Sequence, residues 1–236
     1  MARPATPERM DDPGVGQDEL EDSFRFIRRI NRLLGGTAAL RRLLARESAG
    51  WPRAHPIRLL DLGTGAADIP LAIGDWARAR GFRVETVGLD DHPGCLAVAR
   101  AAVVGRDDVT IVEGDARTAL ERFGPASFDY VHAGMFLHHL GDGDAVRVLA
   151  DMGRIATRAI VWNDLWRSPA SRLGVRLLTL FSSEIVRFDA RLSVEKGFTR
   201  SEAIELAARA GLRNVRCDLM PLAGRFRLMG FGPGRG

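Results

Sequence analysis

A glycine-spaced turn that follows a short apolar run is the feature of this sequence best suited to bind a ligand. The segment IRLLDLGTGAADIP spans residues 57–70, and its apolar first half has the length of a buried parallel strand. Gly63 and Gly65 permit a turn tight enough for a ligand to approach the backbone. From Ala66 onward the pattern is helical, so free backbone N–H groups would face that ligand.

Two acids beside this turn indicate the charge of the ligand. Asp68 stands where a dinucleotide fingerprint has its third glycine, and a carboxylate there would repel a pyrophosphate. Asp61 adds a second negative charge at the end of the strand, which suits a ligand that carries an ammonium and a sulfonium. S-Adenosylmethionine is such a ligand. A nicotinamide dinucleotide is disfavoured, while an ordinary strand-to-helix turn without a ligand remains an alternative.

A second predicted strand ends in a pair of acids. The segment VETVGLD covers residues 84–90, about one βαβ step after the glycine turn. From this place a carboxylate can hold both hydroxyls of a ribose. Asp90 is therefore the ribose candidate, with Asp91 beside it.

Two more predicted strands complete the candidate cofactor site. The segment VTIVEGD, residues 109–115, places the Asp115 carboxylate to accept the adenine amino hydrogens and the backbone N–H of Ala116 to donate to the ring. The segment FDYVHAGM, residues 128–135, contains Ala133, which is small enough to let a cofactor pass. Ligands gather where the carboxyl ends of parallel strands converge, so we expect these segments to share one site.

The motifs LDLGTG, GLD, GDA and FDYV…LHHL, in this order over residues 57–164, resemble the class I S-adenosylmethionine-dependent methyltransferases. They look most similar to small bacterial enzymes that methylate quinone precursors, phenols and polyketide-like metabolites. The resemblance implies an α/β fold with a Rossmann-like, seven-stranded, mostly parallel sheet, an antiparallel C-terminal strand, helices on both faces and an N-terminal helical cap. It implies S-adenosylmethionine as cofactor, with contacts from Asp61, Gly63, Thr64, Gly65, Asp68, Asp90, Asp115, Ala116 and Ala133.

One position departs from the family pattern. The family often has a further glycine where this chain has Ala67. An early helical residue with negative φ can be alanine, so we expect tighter packing there rather than a loss of cofactor binding.

Two adjacent histidines follow the fourth predicted strand and are the catalytic candidates. A neutral imidazole of His138 or His139 can accept the proton of a phenol or enol near pH 7. Alternatively, one or both cap the next helix or satisfy a buried loop. Asn163 and Asp164 raise the possibility of a magnesium site, but an acid after strand four is missing, so we expect no metal. Alternatively, Asp164 forms an ion pair with Arg167 that orders the loop.

Length and composition predict one α/β domain with a small appendage. The chain has 236 residues, of which 46% are hydrophobic, enough for a sizeable core. We divide it into an N-terminal arm and helical cap at 1–50 and a methyltransferase domain at 51–236, with a substrate-side insertion near 166–198. In that insertion, Phe181, Phe188 and Phe198 would suit the wall of an acceptor pocket, and residues 187–197 read as a polar excursion.

Charge and cysteine content argue against several classes of binding partner. The net charge is +4, but the basic residues are spread along the chain, which does not favour nucleic-acid binding. Two cysteines without CxxC spacing suggest neither zinc nor disulfides. No apolar run is long enough to span a membrane and the N-terminus lacks a signal-peptide pattern, so we expect a cytoplasmic protein. The apolar helical cap would close the active site, cover the sheet, or pack against a second copy in a homodimer.

The function predicted from these observations is metal-independent methyl transfer from S-adenosylmethionine to a small-molecule acceptor, most readily to oxygen. Carbon methylation of a quinone precursor is the nearest alternative. A noncatalytic S-adenosylmethionine-binding protein is a second alternative, and a nicotinamide oxidoreductase is a third that Asp61 and Asp68 disfavour.

Overall fold

The computed structural model describes residues 3–12 and 14–233, and within them seven strands form one sheet. Along the chain the strands are β1 Ile57–Leu62, β2 Val84–Asp90, β3 Val109–Glu113, β4 Phe128–Gly134, β5 Ala156–Leu165, β6 Arg213–Met220 and β7 Arg225–Phe231. Their order is β3-β2-β1-β4-β5-β7-β6, and β7 runs antiparallel to both of its neighbours. The predicted fold class is confirmed.

Helices cover both faces of this sheet. They are α1 Gln17–Leu33, α2 Gly36–Glu47, α3 Asp68–Arg78, α4 Pro93–Ala102, α5 Ala119–Phe123, α6 Asp142–Ile155, α7 Pro169–Leu178, α8 Glu184–Lys196 and α9 Arg200–Arg209. One apolar cluster joins α6 and α9 to the sheet, and a second joins α2 and α3 to its other face. None of the helices in the described ranges combines the length and apolar character needed to cross a bilayer.

The alternation of side chains along the central strands explains the two clusters. On β4, Tyr130 packs into the cluster of α2 and α3, while Val131 packs into the cluster of α6 and α9. On β5, Val161 packs into the cluster of α2 and α3, and Trp162 packs into the cluster of α6 and α9. Because both faces are covered, these strands carry buried apolar side chains on both sides of the sheet.

The parallel register brings the functional loops to one edge. Leu62 at the end of β1 pairs with Leu89 of β2 on one side and with Ala133 of β4 on the other. The loops after these strands therefore leave the sheet side by side, at the carboxyl edge where ligands bind in open α/β folds.

The backbone at Ala67 differs from our expectation of a negative φ. Ala67 has φ 58° and ψ 21°, in the left-handed region, and it is the residue before α3. Its N–H donates to the carbonyl of Thr64 at 3.0 Å, which closes the turn. A non-glycine residue there costs roughly 1–2 kcal/mol, so the family's preference for glycine has a backbone reason.

The predicted polar excursion at 187–197 is also wrong, because this segment forms most of α8. Ile185, Val186 and Val194 lie on one buried side of the helix. That apolar side is sufficient to hold the helix on the domain although most of its other residues are polar.

Gly88 of β2 leaves the space that the Thr64 side chain occupies. A Cβ at Gly88 would lie 2.7 Å from Thr64 Oγ1 and 2.9 Å from its Cγ2. We predict that Gly88→Ala displaces Thr64 and lowers the free energy of unfolding by about 1–3 kcal/mol, as overpacking does. Urea unfolding measures this loss. Gly50→Ala is the control, since a Cβ there meets no atom within 4 Å; equal stability of the two variants would contradict the prediction.

Candidate functional site

A cavity of about 600 Å³ opens at the carboxyl edge of the sheet. Eleven of the twelve side chains and glycines predicted for the site line it, namely Asp61, Gly63, Thr64, Gly65, Asp68, Asp90, Asp91, Asp115, Ala116, His138 and His139. Because the strands are aligned in the sheet, residues from four separate loops line the same cavity.

The glycine turn at the cavity floor is held in place by the end of β1. Gly63 and Gly65 have φ 64° and 55°, values that side-chain-bearing residues rarely adopt. Thr64 Oγ1 donates to Asp61 Oδ2 at 2.8 Å, and His132 Nδ1 lies 2.6 Å from Asp61 Oδ1. Contacts within the chain therefore hold this turn in place. Sequence reasoning did not assign His132, which is fully buried on β4.

Asp90 links β2 to the same turn. Its carboxylate accepts hydrogen bonds from the backbone N–H of Gly65 at 2.8 Å and of His92 at 3.0 Å. Burial raises the pKa of Asp90, although these two hydrogen bonds oppose the shift. A carboxylate has about four acceptor positions, so two remain for ligand hydroxyls. Asp91, its neighbour, is exposed.

Asp115 begins the loop after β3 and is paired with a cation. It accepts from the backbone N–H of Arg117 at 2.8 Å, and the Arg117 guanidinium lies 2.6 Å from it. The Arg117 guanidinium lowers the pKa of Asp115, so the carboxylate stays ionised. Ala116 beside it is buried.

Ala133 is the predicted cofactor contact that the cavity does not reach. Its side chain is fully buried in the core with Val131, on the face covered by α6 and α9. The residues that follow it, Gly134 and Met135, line the cavity instead. The size of Ala133 was read correctly as small, but alternation along the strand turns it away from the ligand space.

The two candidate histidines lie on a short 3₁₀ turn, Leu137–His139, directly after β4. His138 is buried, and its Nδ1 lies 2.7 Å from Asp164 Oδ1. Burial alone would lower the pKa of His138, but the Asp164 carboxylate raises it to about 9. The imidazole therefore carries a proton at neutral pH.

Asp164 is held by three donors rather than by the expected ion pair with Arg167. Besides His138, Trp162 Nε1 donates to it at 3.0 Å and the N–H of Leu165 at 2.8 Å. Although burial opposes it, His138 keeps the pKa of Asp164 low. Arg167 pairs with Glu202 instead, because the chain turns away from the site after β5.

The N-terminal segment 3–12, which we call the strap, closes the site over the histidines. Glu8 is 4% exposed, and its Oε1 lies 3.6 Å from His138 Nε2 and 3.7 Å from Lys196 Nζ. Asp11 Oδ2 lies 3.1 Å from His139 Nδ1. One atom from each of Glu8, His138 and His139 could serve as a metal ligand, and these atoms lie within 4.8 Å of one another. Sequence reasoning missed these contacts.

Arg3 anchors the beginning of the strap. Its guanidinium donates to the carbonyl of Leu140 at 2.8 Å, pairs with Asp142 at 2.7 Å and lies 4.2 Å from the ring centroid of Phe198. The cluster of acids near the N-terminus was the available signal for this segment, but nothing local indicated where it would bind.

The acceptor side of the cavity has different walls from those predicted. Phe181 is 97% exposed and Phe198 is packed in the core against Trp162, and neither these nor Phe188 lines the cavity. Aliphatic residues from α1, α7 and the loop before β7 form the apolar wall, namely Ile27, Ile30, Leu34, Val175, Leu178 and Leu222.

The His138–Asp164 pair makes the stability of the protein depend on pH. Because the pKa of His138 is raised to about 9, the pair stabilises the folded state fully below the unfolded pKa of about 6.5. This contribution is lost as the pH rises through about 9, with a slope of up to about 1.4 kcal/mol per pH unit. Urea unfolding between these limits should show the loss in the unmodified protein and a flatter profile in His138→Gln. Identical slopes would refute this assignment.

Known proteins that resemble this chain in sequence or in fold are methyltransferases. Residues 59–158 match a family described as "Methyltransferase domain". No curated protein matches the chain significantly. Among solved structures, the plantazolicin methyltransferase BamL has 12% identity and a TM-score of 0.68, with 90% of each chain covered.

Two further structures share the fold at low identity. Magnesium protoporphyrin IX methyltransferase (ChlM) from Synechocystis PCC 6803 has 13% identity and a TM-score of 0.59, covering 89% of this chain and 94% of its own. The mitomycin 7-O-methyltransferase MmcR has 21% identity and a TM-score of 0.59, covering 86% of this chain, which spans 54% of MmcR. The match at residues 59–158 and this sheet topology show that the chain carries a methyltransferase domain within a Rossmann-like methyltransferase fold.

Proposed function

We propose that this protein methylates a hydroxyl oxygen of a small phenolic, quinone-like or polyketide-derived acceptor. The observation that carries this proposal is a single cavity that joins the glycine turn and strand-end acids to a histidine pair and an aliphatic wall. Such a wall suits a flat, apolar acceptor, and the histidines supply proton-transfer groups beside it.

The residues of the cavity fit S-adenosylmethionine. Carboxylates stand where a dinucleotide would need room for phosphates, and the buried Asp61 faces the turn that would receive the amino-acid end. In this assignment Asp90 holds the ribose, Asp115 with Ala116 the adenine, and Gly63 and Gly65 let the cofactor approach the backbone. When bound, the cofactor supplies an electrophilic methyl group and a neutral leaving group.

The protein must then orient the acceptor, exclude water and remove a proton. We assign the proton acceptor to His139, because His138 is already protonated between Asp164 and Glu8. His139 is about one quarter exposed, and Asp11 fixes its Nδ1 side. His138 then acts as the positioning residue, with its ring centroid 4.3 Å from that of His139 and the two rings tilted by 35°.

We propose that the transfer needs no metal. Lys196 already brings a positive charge to 3.7 Å from Glu8, the one carboxylate of the possible ligand set. A divalent cation would have to enter against that charge. Activity unaffected by chelators is the expected result.

The names of structural neighbours support an oxygen acceptor only as an analogy. MmcR is named a mitomycin 7-O-methyltransferase, ChlM a magnesium protoporphyrin IX methyltransferase and BamL a plantazolicin methyltransferase. The predictions of a cytoplasmic location, of no nucleic-acid partner and of a possible homodimer are retained as proposals from composition and from the apolar cap.

Removing the Asp90 carboxylate tests the cofactor assignment. We predict that Asp90→Ala weakens the binding of S-adenosylmethionine and S-adenosylhomocysteine by roughly 1–3 kcal/mol, because hydrogen bonds to a charged group are lost. Isothermal titration calorimetry measures the affinity. Asp107→Ala is the matched control, since Asp107 is exposed and does not line the cavity. An unchanged affinity in Asp90→Ala would remove the ribose assignment.

Removing the proposed base tests the chemistry. We predict that His139→Ala keeps S-adenosylhomocysteine binding and lowers turnover of a phenolic acceptor by about a hundredfold or more. Mass spectrometry of products from a panel of phenols and quinols measures turnover and separates O- from C-methylation. His55→Ala, an exposed histidine, is the control. Full turnover in His139→Ala would make that residue structural, and cofactor binding without product from any acceptor would favour a noncatalytic binding protein.

A further inference from the structure

Arg225 carries a buried charge without an anionic partner. It begins β7, pairs in register with Leu165 at the end of β5, and is fully buried while bordering the cavity. Its Nη2 donates to Asn31 Oδ1 at 2.9 Å. Among the described residues, Nε and Nη1 find no hydrogen-bond acceptor and no carboxylate lies within ion-pair distance.

The nearest acids are already committed to other donors. Asp68 accepts from Asn31 Nδ2 at 3.0 Å, so the amide of Asn31 stands between this acid and Arg225. Asp164 is held by His138, Trp162 and the backbone of Leu165. Burial lowers the pKa of Arg225 to about 10, which still leaves it charged at neutral pH.

The position of the guanidinium is fixed by its neighbours. A Cβ on Gly36 would lie 2.7 Å from Arg225 Nη1 and 2.6 Å from Asn31 Oδ1, so only a glycine at the start of α2 allows this arrangement. Two helices of the cap, α1 through Asn31 and α2 through Gly36, thus fix the position of this guanidinium, in a residue that borders the cavity.

A buried cation without a counter-charge is unfavourable unless a ligand supplies one. Each arginine nitrogen without an acceptor can donate a charge-assisted hydrogen bond to a carboxylate. Here two nitrogens, Nε and Nη1, lack acceptors within the described chain.

We propose that Arg225, positioned by Asn31, binds a carboxylate of a molecule held in the cavity. The inference rests on the proposed function, since that function supplies the two possible sources of this group. One source is the amino-acid end of the cofactor, and the other is an acidic substituent on the acceptor. In both cases Arg225 is a specificity residue and takes no part in the methyl transfer itself.

Calorimetry with paired ligands tests the first source. The probes are S-adenosylhomocysteine, which has the carboxylate, and 5′-methylthioadenosine, which lacks it. If Arg225 holds the cofactor, Arg225→Met should lose at least tenfold in affinity for the former and nothing for the latter. Arg225→Lys keeps the positive charge but lacks the guanidinium group. Its affinity for S-adenosylhomocysteine should lie between those of Arg225→Met and the unmodified protein. Arg216→Met on the neighbouring strand, an exposed arginine, is the control and should bind both like the unmodified protein.

Titration with salicylate and phenol in the presence of S-adenosylhomocysteine tests the second source. If S-adenosylhomocysteine binds Arg225→Met normally but salicylate loses at least tenfold while phenol does not, the acceptor supplies the carboxylate. In either case the melting temperature of ligand-free Arg225→Met should equal or exceed that of the unmodified protein, because an unpaired buried charge has been removed.

Two results would overturn the proposal. One is equal binding of all four probes by Arg225→Met and the unmodified protein. The other is a uniform loss of all four together with a lower melting temperature, which would make Arg225 purely structural. Failure of the proposed function looks different, because the unmodified protein itself would then bind neither adenosine ligand.

Discussion

The buried carboxylate of Asp164 is the interaction on which the arrangement of the site depends. It lies at the end of β5 without exposure to solvent and accepts hydrogen bonds from His138, Trp162 and the backbone of Leu165. A buried charge is tolerated only when donors surround it. Trp162 packs against Phe198 and Phe226, so the core of the domain and the orientation of His138 are joined at this one group.

The carboxylates at the glycine turn are also surrounded by hydrogen-bond donors. Asp61 contacts Thr64 of the glycine turn and His132 of β4, and Asp90 accepts from the backbone N–H of Gly65. The turn is thereby held in a conformation with positive φ angles, which includes the unfavourable one at Ala67. The left-handed conformation at Ala67 costs stability, and the surrounding contacts nevertheless hold it.

The cap completes the site from a distance. The strap adds Glu8 and Asp11 to the histidines, and α1 adds Asn31 and the aliphatic wall. The charges in this region are largely paired: Lys196 and His138 face Glu8, and Asp11 faces His139. Arg225 differs from these groups, because two of its buried nitrogens have no hydrogen-bond partner among the described residues.

The sequence by itself determined the order of the strands' motifs, the glycine turn and the acids at strand ends, because these are local patterns of apolar runs and turn residues. Eleven of the twelve predicted site residues line the cavity, and Ala133 is the exception. Only the tertiary structure decided that Asp164 pairs with His138 and not with Arg167, that Phe198 lies in the core, and that Glu8 reaches the histidines. These contacts join residues that are far apart in the sequence. Their spacing and residue types alone do not predict which side chains meet in the folded chain.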